Sequence, residues 1–389
     1  MPNGGYIRKY KEEWPVVAIC YDFDKTLSPD DMQAQGFIQS VGYEISKFWQ
    51  ESNGLAGSND MDQNLAYMFK MMETSEGRVL FTKRALLEYG AQVRWFPGVE
   101  DWFRRIREYG KEHGVIVEHY IISSGLKEMI EGTIIAKEFE KIYASSFFYN
   151  EKGVAKWPAQ VVNYTNKTQF LFRIEKGVLD INDPGVNEAF VPEDIRVPFR
   201  NMIYIGDSDT DIPCMKLVTT YGGHSIGVYN ADTLDKTKVY KMMREGRIRY
   251  FAPADYSEGT QLDELVKAII DRTVTNEKLE EIHFRCKKEN IEADKQNSEE
   301  ELEKTDLLIS LENSRSFTRT HEVIKKLSRY NTWSPEELSL LFRIAVNNSQ
   351  VRYIINDVDV KLFYSQLLGK VKKETEEIKT IRDMLENGE

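Results

Sequence analysis

Residues 16–27 read Val-Val-Ala-Ile-Cys-Tyr-Asp-Phe-Asp-Lys-Thr-Leu, and no other stretch restricts the folding of this chain as much. A short, unbroken apolar run marks a strand buried on both faces, as in a parallel sheet. Asp22 and Asp24 close the run. On extended backbone, side chains two residues apart point the same way. The two acids therefore belong together at the carboxyl edge of the sheet, where open α/β folds place their ligands. Carboxylates so close repel, and a shared proton or a hard cation must offset the repulsion.

The chain has 389 residues, enough for two or three domains. Its net charge of −11 disfavours a general binder of nucleic acid or anionic membranes. Cys20, Cys214 and Cys286 are far apart and form no CxxC pair, which suits a reducing cytoplasm. The histidines are scattered without zinc-site spacing. Residues 1–14 lack the apolar core of a secretory signal, and no apolar run approaches the ~20 residues of a membrane helix. The expectation is a cytoplasmic protein.

After the first strand, residues 32–89 follow a helical period. Phe37, Val41, Ile45, Phe48 and Trp49 recur at three- and four-residue steps, and so do Leu65, Met68, Phe69 and Met72. These stripes read as helix core. A helix is expected over 99–109, then a strand over 115–122 that ends in Ser123-Ser124-Gly125. A hydroxyl and backbone N–H groups at a strand-to-helix turn suit a phosphate. A strand follows over 142–149, whereas 154–165 has no clear element. Lys167 stands near the start of a helix that ends at Gly177, and 181–198 reads as a loop. Residues 201–215 then repeat the opening pattern. An apolar strand ends in Gly206-Asp207-Ser208-Asp209-Thr210-Asp211. A strand over 224–229, a helix over 231–245, a short strand over 248–251 and a helix over 260–271 complete this part.

The run Asp22-Phe23-Asp24-Lys25-Thr26-Leu27 resembles the first motif of the haloacid dehalogenase (HAD) superfamily. Ser123, Lys167 and the acids after Gly206 are similar, in order, to the second, third and fourth motifs, and the motifs are phosphoserine-phosphatase-like. The resemblance covers residues 16–272. It implies an α/β fold, with a HAD-like Rossmannoid parallel sheet built from residues 1–27 and 92–272. It also implies that residues 28–91 are an inserted C1-type helical cap that closes over the site and sets specificity. The implied activity is a Mg2+-dependent phosphatase acting on a small phosphomonoester through an aspartyl-phosphate. Asp22 is then the nucleophile and Asp24 the general acid and base. Ser123 and Lys167 bind the phosphoryl group, with Ser124 and Lys156 as alternatives. Asp22, the Asp24 backbone carbonyl, Asp207 and Asp211 serve the metal. Asp209 matches no motif position and is expected to face outward.

The resemblance stops before the tail. Residues 273–305 are dominated by Glu, Lys, Asn and Asp and read as a solvated helix or linker. Helical signals return over 320–330, after the capping box Ser334-Pro335-Glu336-Glu337, and over 357–368. Residues 306–389 are therefore expected to form a small α-helical domain. This gives a second reading, in which the core is a ligand sensor or scaffold and the tail binds a protein partner or a second copy. Intact Asp22, Asp24, Lys167, Asp207 and Asp211 favour the enzyme.

Overall fold

The computed structural model describes residues 6–190, 194–233, 235–293, 299–371 and 374–387. The chain divides into two compact units: Met1–Asp183 with Arg196–Glu277, and Pro184–Ile195 with Lys278–Glu389.

The first unit is built on a seven-stranded sheet. Its strands are β1 (Val16–Tyr21), β2 (Ile116–Leu126), β3 (Lys141–Tyr149), β4 (Ala155–Gln160), β5 (Met202–Gly206), β6 (His224–Tyr229) and β7 (Tyr250–Pro253), in the order β4-β3-β2-β1-β5-β6-β7. Every pairing is parallel except β3 with β4. The expected α/β sheet is present. Along β1, Val17, Ile19 and Tyr21 enter one hydrophobic core, while Val16, Ala18 and Cys20 enter the other. This is why the run shows no polar alternation. Tyr21 lies opposite Ile121 of β2 and Ile205 of β5. The Asp22 N–H donates to the Ile205 carbonyl at 2.9 Å, so the ladder continues into the first acid.

Residues 155–160, where the sequence gives no clear element, form the edge strand β4. Pro158 is tolerated there because an edge strand has a side that needs no N–H donor. Four helices follow β1: α1 (Phe37–Ser40), α2 (Ile45–Ser58), α3 (Gln63–Ser75) and α4 (Lys83–Gly90). Glu44, Asp62 and Thr82 cap α2, α3 and α4 with their side chains. The stripe residues Phe37, Val41, Phe48 and Met68 are buried in the core that takes Tyr21. The insertion ends where it began, since the Phe96 N–H donates to the Leu27 carbonyl at 3.0 Å. Next come α5 (Val99–Glu112), α6 (Lys127–Glu131), α7 (Thr168–Lys176), α8 (Ile212–Thr220), α9 (Thr237–Arg244) and α10 (Gln261–Ala293). The helix expected over 260–271 does not stop there. It runs on through the charged residues to Ala293, where Glu and Lys at helical spacing support the helix they also solvate.

In the second unit, α11 (Glu299–Glu312), α12 (Phe317–Leu327), α13 (Pro335–Asn347), α14 (Ser349–Tyr353), α15 (Val358–Leu368) and α16 (Glu376–Asn387) are the helices after α10. Leu311, Ile324, Phe342, Tyr364 and Ile381 share its core. The capping box forms as expected. Glu337 accepts from the Ser334 N–H at 2.6 Å, and Ser334 Oγ accepts from the Glu337 N–H at 3.1 Å. Among the described residues, no helix is long and apolar enough to cross a membrane.

Two buried polar networks hold the sheet. In the first, Trp102 Nε1–H donates to the Tyr21 hydroxyl at 2.8 Å, and that hydroxyl lies 3.0 Å from His119 Nδ1. His119 Nε2 is 3.2 Å from the Phe103 carbonyl, which can only accept. The proton therefore sits on Nε2, and Nδ1 accepts from Tyr21. Burial holds His119 neutral, its pKa pushed down to about 3. In the second network, both oxygens of Glu118 accept from Arg196 at 2.7 Å, and Lys9 and Tyr120 add bonds at 2.5 and 2.6 Å. Burial pushes the Glu118 pKa upward, but Arg196 and Lys9 outweigh it and hold the carboxyl at about 2.

The sign of the Glu118 effect follows from linkage. The unfolded chain takes up a proton near the ordinary value of 4.5, while the folded chain resists protonation down to about 2. Glu118 thus contributes stability above pH 4.5 that is lost as pH falls toward 2, about 3 kcal/mol in all. Urea unfolding across this window should show a shallower pH slope for Glu118→Gln than for the wild type.

Candidate active site

The functional residues gather at the carboxyl edge of the sheet, around the ends of β1, β2 and β5. A cavity of about 490 Å³ opens there, lined among others by Asp22, Asp24, Ser123, Ser124 and Asp207. Asp22 follows β1 and is 6% exposed. Lys167, just before α7, and Asp211, just before α8, lie beneath it, both fully buried. Lys167 Nζ donates to Asp211 Oδ1 at 2.7 Å and stands 3.1 Å from Asp22 Oδ1.

Asp211 is fully engaged. Its Oδ1 also accepts from the Tyr204 hydroxyl at 3.0 Å, and its Oδ2 accepts from the N–H and Oγ of Ser208 at 3.3 and 3.2 Å. Gly206 makes room for it, because a Cβ there would lie 2.5 Å from Asp211 Oδ2. Asp22 differs. Lys167 is aligned on Asp211, so Asp22 Oδ1 is buried without a hydrogen bond. Asp24 Oδ1 accepts from the Met32 N–H at 2.8 Å. Asp209 is exposed. Lys156 is exposed on β4, away from the acids that Lys167 contacts. Ser123 and Ser124 both line the cavity. Ser123 Oγ accepts from the Gly125 N–H at 3.0 Å, whereas Ser124 Oγ is buried without a partner.

The charges in this cluster are out of balance. One oxygen each of Asp22, Asp207 and Asp211 lies within 4.8 Å of the others. Burial raises the Asp22 pKa to about 6, with repulsion from Asp211 adding to it and Lys167 opposing. Burial, then Asp211 and Asp22, raise Asp207 to about 7. Burial, then Asp31 and Asp22, push Asp24 well above the carboxylate range. Burial also works against the Lys167 ammonium, but Asp211 and Asp22 outweigh it and hold its pKa above the usual lysine value. One lysine does not neutralise three acids.

A magnesium ion suits this imbalance. The donors are all oxygen, and Asp22 and Asp207 each bring a carboxylate oxygen to the same cluster. The fit is to Asp22 and Asp207, since the oxygens of Asp211 are committed to Lys167, Tyr204 and Ser208.

Several cavity residues have no counterpart in the motifs. Lys25 reaches Asp31 at 2.8 Å, and Lys238 of α9 lies 3.5 Å from Asp207. Met61, Asp62, Gln63 and Asn64 at the start of α3 face Asn163 and Tyr164 across the opening. Asp62 carries a helix-cap signal in the sequence, but its position at the cavity depends on long-range packing.

The family model for haloacid dehalogenase-like hydrolases matches residues 19–216, just over half the chain, and the chain belongs to this family. An uncharacterized protein of Borreliella burgdorferi is 28% identical over 275 residues, covering 64% of this chain and 94% of that protein. Among solved structures, a HAD family hydrolase from Salmonella enterica serovar Typhi aligns with a TM-score of 0.42 and 16% identity, covering 62% of this chain and 69% of its own. A phosphoserine phosphohydrolase-like protein from Francisella tularensis aligns at 0.39 and 17%, covering 61% and 94%. A probable phosphoserine phosphatase from Vibrio cholerae aligns at 0.42 and 10%, covering 68% and 67%.

Removing the lysine tests the charge balance. Lys167→Met leaves Asp22 and Asp211 buried without their cation and should destabilise the metal-free protein by about 3–5 kcal/mol. Urea unfolding with and without Mg2+ checks this, and added Mg2+ should recover part of the loss.

Proposed function

We propose that this protein is a Mg2+-dependent phosphatase of a small phosphomonoester. One observation carries the reading: a fully buried lysine held between Asp22 and Asp211, beneath a cavity lined by Asp24, Asp207 and two serines. Such a cluster at a cavity floor suits a phosphate once a divalent cation adds the positive charge that Lys167 alone does not supply.

In this reading an Asp22 carboxylate oxygen attacks phosphorus. The bond from phosphorus to the leaving oxygen breaks, and Asp24 gives that oxygen its proton. The Asp24 carboxylate then takes a proton from water. The resulting hydroxide attacks the aspartyl-phosphate, releasing inorganic phosphate and restoring Asp22. Lys167 stabilises the transferring phosphoryl oxygens and fixes the orientation of Asp22. Ser123 or Ser124 donates to those oxygens, and the unpartnered hydroxyl of Ser124 makes it a full contender. Asp22, Asp207 and the Asp24 backbone carbonyl would hold Mg2+, whose charge offsets the carboxylates and the phosphate. Asp211 serves by anchoring Lys167. We assign residues 28–91 to a cap over this site, and residues 306–389 to a helical domain separate from the chemistry. A cytoplasmic setting suits the free cysteines.

Hydrolysis of an aryl phosphate measures the proposal. Release should require Mg2+ and disappear in Asp22→Asn. In Asp207→Asn, the Mg2+ concentration for half-maximal rate should rise at least about tenfold, the weakening expected when a charged ligand is lost. Equal release without Mg2+, or by Asp22→Asn, would overturn it.

A further inference from the structure

Asp62 and Asn163 meet across the cavity opening, and each divides its polar atoms in the same way. Asp62 Oδ1 accepts from the N–H groups of Asn64 and Leu65 at 2.8 and 3.1 Å, capping α3. Asp62 Oδ2 accepts from Asn163 Nδ2 at 2.9 Å. Asn163 Oδ1, in turn, accepts from the N–H of Thr165, the hydroxyl of Thr165 and the N–H of Asn166, at 3.0, 2.6 and 3.1 Å. The Asn163 carbonyl accepts from the Lys167 N–H at 3.1 Å, and the Asn163 N–H donates to Asn166 Oδ1 at 2.9 Å. The amide orientation is forced, because its oxygen must receive those N–H groups.

One side chain thus organises the turn that delivers Lys167, and its amide also donates to Asp62, the residue that caps α3. Two further bonds reinforce the junction. Asn64 Nδ2 donates to the Val162 carbonyl at 2.8 Å, and the Tyr67 hydroxyl donates to the Ser124 carbonyl at 2.7 Å. Asp62 and Asn163 are both half-buried.

We propose that Asp62 and Asn163 form a clasp linking closure of the α2–α3 region over the cavity to the setting of Lys167, with Asn163 as a positioning residue. When the clasp opens, the α3 end moves off the cavity and the 163–167 turn loses one of its anchors, so access and lysine placement change together. The catalytic consequence rests on the phosphatase reading, while the mechanical linkage does not.

Exchanging the two residues provides the test. Asp62→Asn leaves two amide donors facing each other, and Asn163→Asp sets two carboxylates together. The double exchange, Asp62→Asn with Asn163→Asp, restores every bond. Asn caps helices as well as Asp does, and an Asp at 163 still accepts from Thr165 and Asn166. Each single variant should lower kcat/KM for an aryl phosphate about tenfold, the scale of a hydrogen bond to a charged group. The double variant should return to within about threefold of wild type, as contacting residues couple in a mutant cycle. Amide hydrogen exchange should rise in residues 62–68 and 162–168 together in each single variant, and fall back in the double. Exchange that rises only on the mutated side, or a double variant no better than the singles, would overturn the clasp. A wild type that hydrolyses nothing would refute the phosphatase reading and leave the exchange experiment to decide the clasp by itself.

Discussion

The structure around the site depends on one fully buried ammonium group placed between two carboxylates. Lys167 is fully buried, and a lysine in that position keeps its charge only because Asp211 and Asp22 surround it. The acids depend on the lysine equally, since without it they would repel in a low-dielectric pocket. The carboxyl end of β1, the start of α7 and the turn before α8 are therefore conditional on each other. Tyr204 and Ser208 fill the remaining valences of Asp211, whereas the ammonium stands 3.1 Å from Asp22 Oδ1 without an aligned hydrogen bond. Hydrogen bonding thus sets the two carboxylates apart, with both oxygens of Asp211 engaged and Asp22 less so.

The sheet and the two acidic strand ends could be read from the sequence because their signals are local. An apolar run such as 16–21 has few alternatives to a buried strand, and acids directly beyond it have few structural reasons to be there. Lys167 is a different case. Nothing in Asn-Lys-Thr-Gln-Phe indicates burial, and only its order relative to the acidic motifs singles it out. Its environment is set by residues far along the chain, as with Asp211 at a separation of 44. Ser123 and Ser124 are neighbours in sequence, and only the structure separates them, with the Gly125 N–H reaching Ser123 Oγ and Tyr67 reaching the Ser124 carbonyl. Asp62 shows its capping role locally, but its bond to Asn163 spans 101 residues, and no periodicity records it.

The elements that the sequence leaves open have physical causes as well. In β4, Lys156, Trp157 and Pro158 obscure the alternation of a strand, because an edge strand is free to carry a proline and exposed side chains. The end of α10 was hidden by composition. A charged run with many Glu and Lys suits a solvated linker and a solvated helix equally well, and the helix continues to Ala293. In α16, Ile378, Ile381 and Leu385 are buried at helical spacing, but charged neighbours dilute the pattern.

The bond from the Phe96 N–H to the Leu27 carbonyl has a consequence for how such a protein can change over time. Because the helical segment leaves and re-enters the sheet unit at one point, its two ends constrain the strands much as a tight turn would. Its inner faces are tied to the strands as well, through the core that takes Tyr21 and through the bond from the Ala155 N–H to the Phe81 carbonyl, so length can vary only on its outer side. The acids at the strand ends are thus placed by the sheet registers, and the helical segment is free to change only on the faces that do not pack against the strands.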